Sequence, residues 1–322
     1  MLKKILKKTN PNLIVIVGPT AIGKTSLSIE LAKHFSCPII SADSRQFFKE
    51  MSIGTAKPTP EEMQGITHYF IDSHSITDTY NVGKFEEEAL ALLDQLFRIH
   101  ETVIMVGGSG LYINAVCEGF DELPEADEIT RKKINDLYNS QGIEGLQTML
   151  KQLDPVYFNQ VDQQNPQRLS RALEVCLLSG EPYSSLRKKN RKERQFNCIK
   201  IGINTSREIL YQRINLRVDQ MMQQGLLNEV KKLEPFKHLN ALQTVGYKEL
   251  FDSLSELNEQ REHAAEYKKI LERAVNNIKQ NTRRFAKRQL TWFRRDEEIK
   301  WFEPQEISSI LTYISEYRIK HA

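Results

Sequence analysis

The apolar positions of the first hundred residues follow two alternating periods. Residues 13–17 are an unbroken aliphatic run, short enough for a strand buried on both faces. Residues 24–35 instead place Leu27, Leu31 and Phe35 four apart, which puts them on one face of a helix. Residues 38–40 predict a second strand, 85–99 an amphipathic helix and 102–106 a further strand. Short buried strands separated by amphipathic helices predict a parallel sheet covered by helices on its faces.

The rhythm changes after Gly119. Residues 121–194 carry helical patterns broken at Pro124, Pro155, Pro166 and Pro182, and no strand pattern, which predicts a helical insertion. Strand spacing returns at 198–203. The following Thr205-Ser206-Arg207-Glu208 has capping-box spacing and predicts a helix running to about Met222. A long helix is predicted beyond Leu257 and carries a basic stretch through Trp292.

One motif gives the first strand and helix a chemistry. Gly18-Pro19-Thr20-Ala21-Ile22-Gly23-Lys24-Thr25 matches GxxxxGK[ST] between a predicted strand and a predicted helix, the context in which that pattern binds phosphate. Glycines let backbone N–H groups turn toward phosphate oxygens, the helix N-terminus adds partial positive charge, Lys24 neutralises an outer phosphate, and the Thr25 hydroxyl can enter a Mg²⁺ shell. The expected fold class is therefore α/β: a P-loop NTPase-like parallel sheet flanked by helices, formed by 1–119 plus 196–322, with an inserted all-helical domain at 120–195.

A P-loop leaves the reaction open, because kinases, NTPases and other transferases share it. Asp43 follows the second predicted strand, and carboxyl ends of strands in open α/β sheets face the ligand crevice, which makes it a candidate general base. The competing account is an N-cap or turn aspartate. Gly107-Gly108-Ser109-Gly110 ends another strand and can turn the Ser109 hydroxyl into the same crevice, although glycine turns at strand ends are common.

Composition removes several classes. Among 322 residues the four cysteines Cys37, Cys117, Cys176 and Cys198 lie far apart without CxxC or zinc spacing, so neither a disulfide framework nor structural zinc is expected. The amino terminus is basic like the start of a signal peptide, but the apolar run behind it is too short, and no stretch approaches the ~20 apolar residues of a membrane span. A cytoplasmic protein without a membrane partner is expected. The net charge of +3 is uninformative, but basic residues crowd into 187–194 and 283–288. Either run alone fits a solvated face; together they fit a polyanion. His68 lies in an apolar run and fits the core better than a catalytic site, and Trp292 and Trp301 fit packing better than base stacking.

Several spaced motifs in order extend the picture. The P-loop, Asp43-Ser44-Arg45-Gln46 with Ile53-Gly54-Thr55-Ala56-Lys57-Pro58, Gly107 to Tyr112, Asn165-Pro166-Gln167-Arg168-Leu169-Ser170-Arg171, Val245-Gly246-Tyr247 and Lys287-Arg288-Gln289-Leu290-Thr291-Trp292 together resemble the bacterial tRNA dimethylallyltransferases, over about 12–292. The resemblance implies Mg²⁺-assisted transfer of a dimethylallyl group from dimethylallyl diphosphate to N6 of the adenine 3′-adjacent to the anticodon in tRNA. On that basis the P-loop grips the diphosphate, which leaves intact, and Asp43 serves as base. Lys24, Ser109 and Arg217 stabilise the leaving group and Thr25 holds Mg²⁺. Asp43, Ser44, Arg45, Gln46, Gln167, Arg168, Leu169, Ser170 and Arg171 meet the tRNA anticodon stem-loop, with Lys287, Arg288 and Gln289 tracking its backbone. Ser109 stands where many members carry threonine, which keeps the hydroxyl. The zinc finger of eukaryotic relatives is excluded by the cysteine and histidine spacing. The alternatives carried forward are a P-loop kinase of a small metabolite, an adenylate prenyltransferase, and an RNA-binding protein without chemistry.

Overall fold

The computed structural model describes residues 10–121, 123–125, 127–188, 191–260 and 262–321. They divide into two compact units, one formed by the segments up to Cys117 and from Arg194 onward, the other by Glu118–Glu193.

The first unit is built on a six-stranded, wholly parallel sheet. Its strands are β1 (Asn12–Val17), β2 (Ile39–Ser41), β3 (His68–Tyr69), β4 (Thr102–Gly107), β5 (Asn197–Ile203) and β6 (Lys300–Phe302), in the spatial order β3-β2-β4-β1-β5-β6. β1 is central and buried at all six positions. Its residues alternate between two cores: Ile14 and Ile16 face one, while Leu13, Val15 and Val17 face the other. Complete burial of each such side chain contributes about 1.5–3 kcal/mol, which is why the run lacks the polar alternation of a one-sided sheet.

Helices cover both faces. In this unit they are α1 (Lys24–Phe35), α2 (Pro60–Met63), α3 (Val82–Leu96) and α4 (Gly110–Glu118). Leu27, Leu31 and Ala32 of α1 pack on the first core, and Phe85, Ala89 and Leu93 of α3 with Ile113 of α4 on the second. The inserted unit holds α5 (Glu128–Leu153), α6 (Pro155–Phe158), α7 (Pro166–Ser179) and α8 (Tyr183–Leu186) around its own core of Ile134, Leu146, Leu150, Leu169 and Leu173. Gly142 kinks α5 at φ 64° and ψ −158°, outside helical space. The side chain of Asp154, fully buried, accepts from Tyr157 N at 2.8 Å and Ser184 N at 2.7 Å, which fixes the turn into α6.

The chain then completes the first unit with α9 (Arg207–Gln223), α10 (Leu226–Leu233), α11 (Tyr247–Glu259), α12 (Ala264–Phe293) and α13 (Ile307–Lys320). α10, α11 and the first half of α12 form a third core with Phe48 and Met51 from the segment after β2.

One local expectation is corrected, and two boundaries are sharpened. Ser206 rather than Thr205 caps α9, its side chain accepting from Ile209 N, so Glu208 sits at the second helical position and closes no capping box. Leu257 belongs to α11, and the long basic helix begins at Ala264 after a break. β3 and β6 are edge strands of two and three residues, too short for the sequence periodicity to reveal.

Candidate active site

Because every strand is parallel, all carboxyl ends lie along one edge, and β1 is where the strand order reverses direction. To one side run β4, β2 and β3, and to the other β5 and β6. This switch point is where open α/β sheets hold ligands. The P-loop follows β1 directly. Gly18 adopts φ +150°, and a Cβ there would sit 2.4 Å from the Ile203 carbonyl oxygen at the end of β5. Gly23 caps α1 with φ +109°, so the loop enters the helix through a backbone shape that a side chain would strain.

Lys24 Nζ folds back over the loop and donates to the carbonyls of Gly18 at 3.0 Å and Pro19 at 2.9 Å. Burial pushes its pKa down to about 8; the negative charge of Asp43 opposes that shift and the positive charge of Arg217 adds to it. Asp43, just beyond β2, accepts from Arg45 N at 3.0 Å through Oδ1, a turn that fixes the carboxylate's direction. Ser109, just beyond β4, accepts from Ser44 N at 3.0 Å and donates to Ser44 Oγ at 3.1 Å. The loops after β2 and β4 are thereby tied together.

Arg217 approaches from α9. Burial lowers the pKa of its guanidinium, while the charges of Glu62 and Asp43 raise it. Its side chain lines both cavities of the site. One, of about 690 Å³, is bordered by Thr20, Asp43, Ser44, Arg45, Ser109, Arg288, Gln289 and Trp292. The other, of about 770 Å³, is bordered by Gly23, Thr25, Ser26, Lys57 and Glu62. The P-loop thus borders both a largely apolar chamber holding Asp43 and a chamber of mixed lining holding Thr25.

Three residues expected to face RNA are placed otherwise. Gln289 is only 6% exposed. Its Oε1 accepts from Thr20 N at 2.9 Å and its Nε2 donates to Gly108 O at 3.0 Å, so its amide joins the P-loop to the glycine turn. Leu169 is fully buried in the core of the inserted unit because its helix turns that face inward. Gln46 donates to the carbonyls of Thr55 at 3.2 Å and Ala56 at 3.3 Å and accepts from Ser41 Oγ at 3.1 Å, which commits its amide inside the chain. Arg45 also reaches inward, donating to Asn240 O at 3.1 Å.

The remaining positions stay accessible. Lys287 and Arg288 are exposed on α12. In the inserted unit Gln167 and Arg168 are exposed at the start of α7, Ser170 is half-buried, and Arg171 pairs with Glu174 at 3.3 Å and donates to Pro124 O at 3.0 Å. His68 is half-buried in β3, its Nδ1 on Ile66 O at 2.8 Å and its Nε2 buried without a partner, so it is less completely satisfied than a core histidine. Trp292 packs on the second core and also lines the cavity that holds Asp43, while Trp301 packs from β6.

The sequence did not single out the polar groups that line the cavity holding Asp43 beyond the P-loop and the strand ends. Glu249 and Asn281 line that cavity and are joined by a hydrogen bond across 32 residues of chain, and Tyr247, next to the lining residue Gly246, donates to Glu229. Within the resemblance only Val245-Gly246-Tyr247 pointed to this region.

Residues 46–296 match the family model described as IPP transferase. The chain is 53% identical to the tRNA dimethylallyltransferase of Christiangramia forsetii, covering 94% of this chain and 97% of the relative. It is 45% identical to tRNA dimethylallyltransferase 1 of Bacteroides thetaiotaomicron, covering 97% of both. Among solved structures, the full-length tRNA isopentenylpyrophosphate transferase of Bacillus halodurans aligns with a TM-score of 0.69 at 36% identity, over 97% of this chain and 98% of that one. A eukaryotic dimethylallyltransferase captured acting on tRNA aligns with a TM-score of 0.72 at 26% identity, over 96% of this chain and 78% of that one.

Proposed function

The chain belongs to the IPP transferase family, and from that premise we propose that it transfers the dimethylallyl group of dimethylallyl diphosphate to N6 of the adenine 3′-adjacent to the anticodon in tRNA. The observation that carries the mechanism is the convergence of Asp43, Lys24 and Arg217 at the switch point of the sheet, where Asp43 and Arg217 line one cavity and both act on the charge of Lys24.

The diphosphate binds at the P-loop, where backbone N–H groups, Lys24 and Arg217 offset its charge. The allylic C–O bond breaks, the new bond forms between that carbon and N6, the N6 proton passes to Asp43, and diphosphate leaves whole. The amine is a poor nucleophile because its lone pair is delocalised into the purine. A carboxylate that takes its proton contributes typically 10²–10⁴-fold. Charge grows on the bridging oxygen as the bond breaks, and fixed cations there stabilise the transition state more than the bound substrate.

Mg²⁺ fits the donor set, because Thr25 and Arg217 line the same cavity and this ion is typically held by one or two protein oxygens with the remainder from phosphate and water. When bound by Thr25 and the diphosphate, it supplies charge neutralisation of the leaving group.

An adenine within a stacked anticodon loop must be extruded to reach Asp43, at a cost of a few kcal/mol that protein–RNA contacts offset. Arg288 at the cavity that holds Asp43, the adjacent Lys287, and Gln167, Arg168, Ser170 and Arg171 in the inserted unit supply those contacts. Ser44 and Arg45 contribute from the cavity wall. A tRNA substrate makes the cytoplasm the place of action; no described helix is long and apolar enough to cross a membrane.

The test is incubation of the purified protein with Mg²⁺, labelled dimethylallyl diphosphate and unmodified tRNA, with AMP as a parallel acceptor. Label on tRNA adenosine N6 supports the assignment. Label on AMP alone replaces it with the adenylate prenyltransferase, and ATP-dependent phosphorylation of a small molecule replaces it with the kinase.

A further inference from the structure

Gly54 lies in the segment 52–56 that borders both cavities, and its backbone is held by a single carboxylate. Glu229 Oε2 accepts from Ser52 N at 3.1 Å and Ile53 N at 2.9 Å, while Oε1 accepts from Gly54 N at 3.0 Å and from the Tyr247 hydroxyl at 2.6 Å. Three successive backbone N–H groups converging on one carboxylate form the kind of nest that normally receives an anionic ligand. Here the anion is supplied by the chain itself, from α10, some 175 residues away.

The clamp is rigid on both sides. Tyr247 is fully buried, and a Cβ at Gly54 would lie 2.4 Å from its ring. Burial raises the pKa of the Tyr247 hydroxyl, and the Glu229 charge and hydrogen bond raise it further, so it remains a donor throughout the working pH range.

What the clamp holds leads back to the reacting groups. The carbonyls of Thr55 and Ala56, directly after the nest, receive Gln46 Nε2 at 3.2 and 3.3 Å, and Gln46 Oε1 receives Ser41 Oγ at 3.1 Å. Asp43 lies between Ser41 and Gln46. The path from Glu229 to the carboxylate of Asp43 is therefore a continuous series of hydrogen bonds and short chain segments.

We propose that Glu229 is a positioning residue: by fixing the 52–54 nest it sets the wall of the acceptor chamber and, through Gln46, the placement of Asp43. It touches neither substrate. This inference rests on the prenyl-transfer reading for its kinetic consequence, but its structural half does not.

The experiment compares Glu229→Gln and Tyr247→Phe with the wild-type protein. Glu229→Gln keeps shape but removes the charge that three N–H donors share. Amide hydrogen exchange of Ser52, Ile53 and Gly54 is expected to accelerate by about tenfold or more in Glu229→Gln, with the central sheet unchanged. Steady-state assays are expected to show kcat/KM for tRNA reduced by about 10–100-fold while KM for dimethylallyl diphosphate stays within about twofold. Tyr247→Phe, which keeps the ring beneath Gly54, is expected to show the same pattern at smaller amplitude. Unchanged exchange at 52–54 would overturn the clamp, whatever the protein's activity. Faster exchange with wild-type tRNA kinetics would overturn its role in positioning. A wild-type protein that prenylates no tRNA would count against the functional reading instead, leaving the exchange result to judge the clamp.

Discussion

Replacing Gln289 by leucine tests how the active-site loops are held. The side chain is nearly shape-matched, so the packing of α12 at this position is preserved, but the Thr20 N–H and the Gly108 carbonyl lose partners now at 2.9 and 3.0 Å. Each buried group left unsatisfied costs about 1–3 kcal/mol; allowing for partial access of water to Thr20 at the cavity, we expect about 2–4 kcal/mol in total. For a domain of this size that corresponds to a fall in Tm of roughly 5–10 °C. The P-loop and the glycine turn should also move apart, raising KM for dimethylallyl diphosphate. Gln289→Glu is the control: it keeps an acceptor for Thr20 but sets a carboxylate against the Gly108 carbonyl, and should be no better than leucine. Differential scanning calorimetry and steady-state kinetics on both variants provide the measurement. A leucine variant with unchanged Tm and a rise confined to KM for tRNA would refute the reasoning, because it would make Gln289 an RNA contact after all.

Other outcomes follow from the same geometry. Asp43→Asn keeps an oxygen for Arg45 N and should leave folding intact, yet lower the single-turnover rate by about 10²–10⁴-fold; a rate within a few-fold of wild type removes the general base. Because Lys24 loses its proton as pH rises through about 8 in the free protein, KM for dimethylallyl diphosphate should climb above that pH while remaining flat below it, and Lys24→Met should erase the dependence. Gly54→Ala forces a methyl into the buried Tyr247 ring and should destabilise the protein by about 1–3 kcal/mol in chemical denaturation; a smaller loss would mean that the ring can shift.

The parts of this molecule that were legible in its sequence are those encoded by neighbours. The strand, P-loop and helix at 12–35 are fixed by contiguous apolar runs and by two glycines whose positive φ the turn requires. Asp43 and Ser109 could be found because both follow recognisable strands whose carboxyl ends share an edge. β3 and β6 were not legible because two or three residues cannot display a period.

The internal hydrogen bonds of Gln289 and Gln46 escaped the sequence for a different reason. A polar side chain in a basic or polar motif looks solvent-directed, and only the fold shows that backbone partners 181 and 10 residues away absorb its amide. Glu229 is the same problem in sharper form, since its partners are main-chain N–H groups, which leave no mark on the sequence. Arg217 is intermediate: its position on the helix after β5 was readable, but its approach to Asp43 and Lys24 depends on the packing of α9.

The central claim is that the P-loop holds the diphosphate while it departs intact from the allylic carbon, with no phosphoryl group transferred. The most direct measurement is the product balance of one reaction containing the protein, Mg²⁺, dimethylallyl diphosphate, unmodified tRNA and ATP. Equal amounts of N6-(dimethylallyl)adenosine in tRNA and inorganic diphosphate, with ATP unconsumed, are predicted; orthophosphate or ADP accumulating without prenylated adenosine would contradict it.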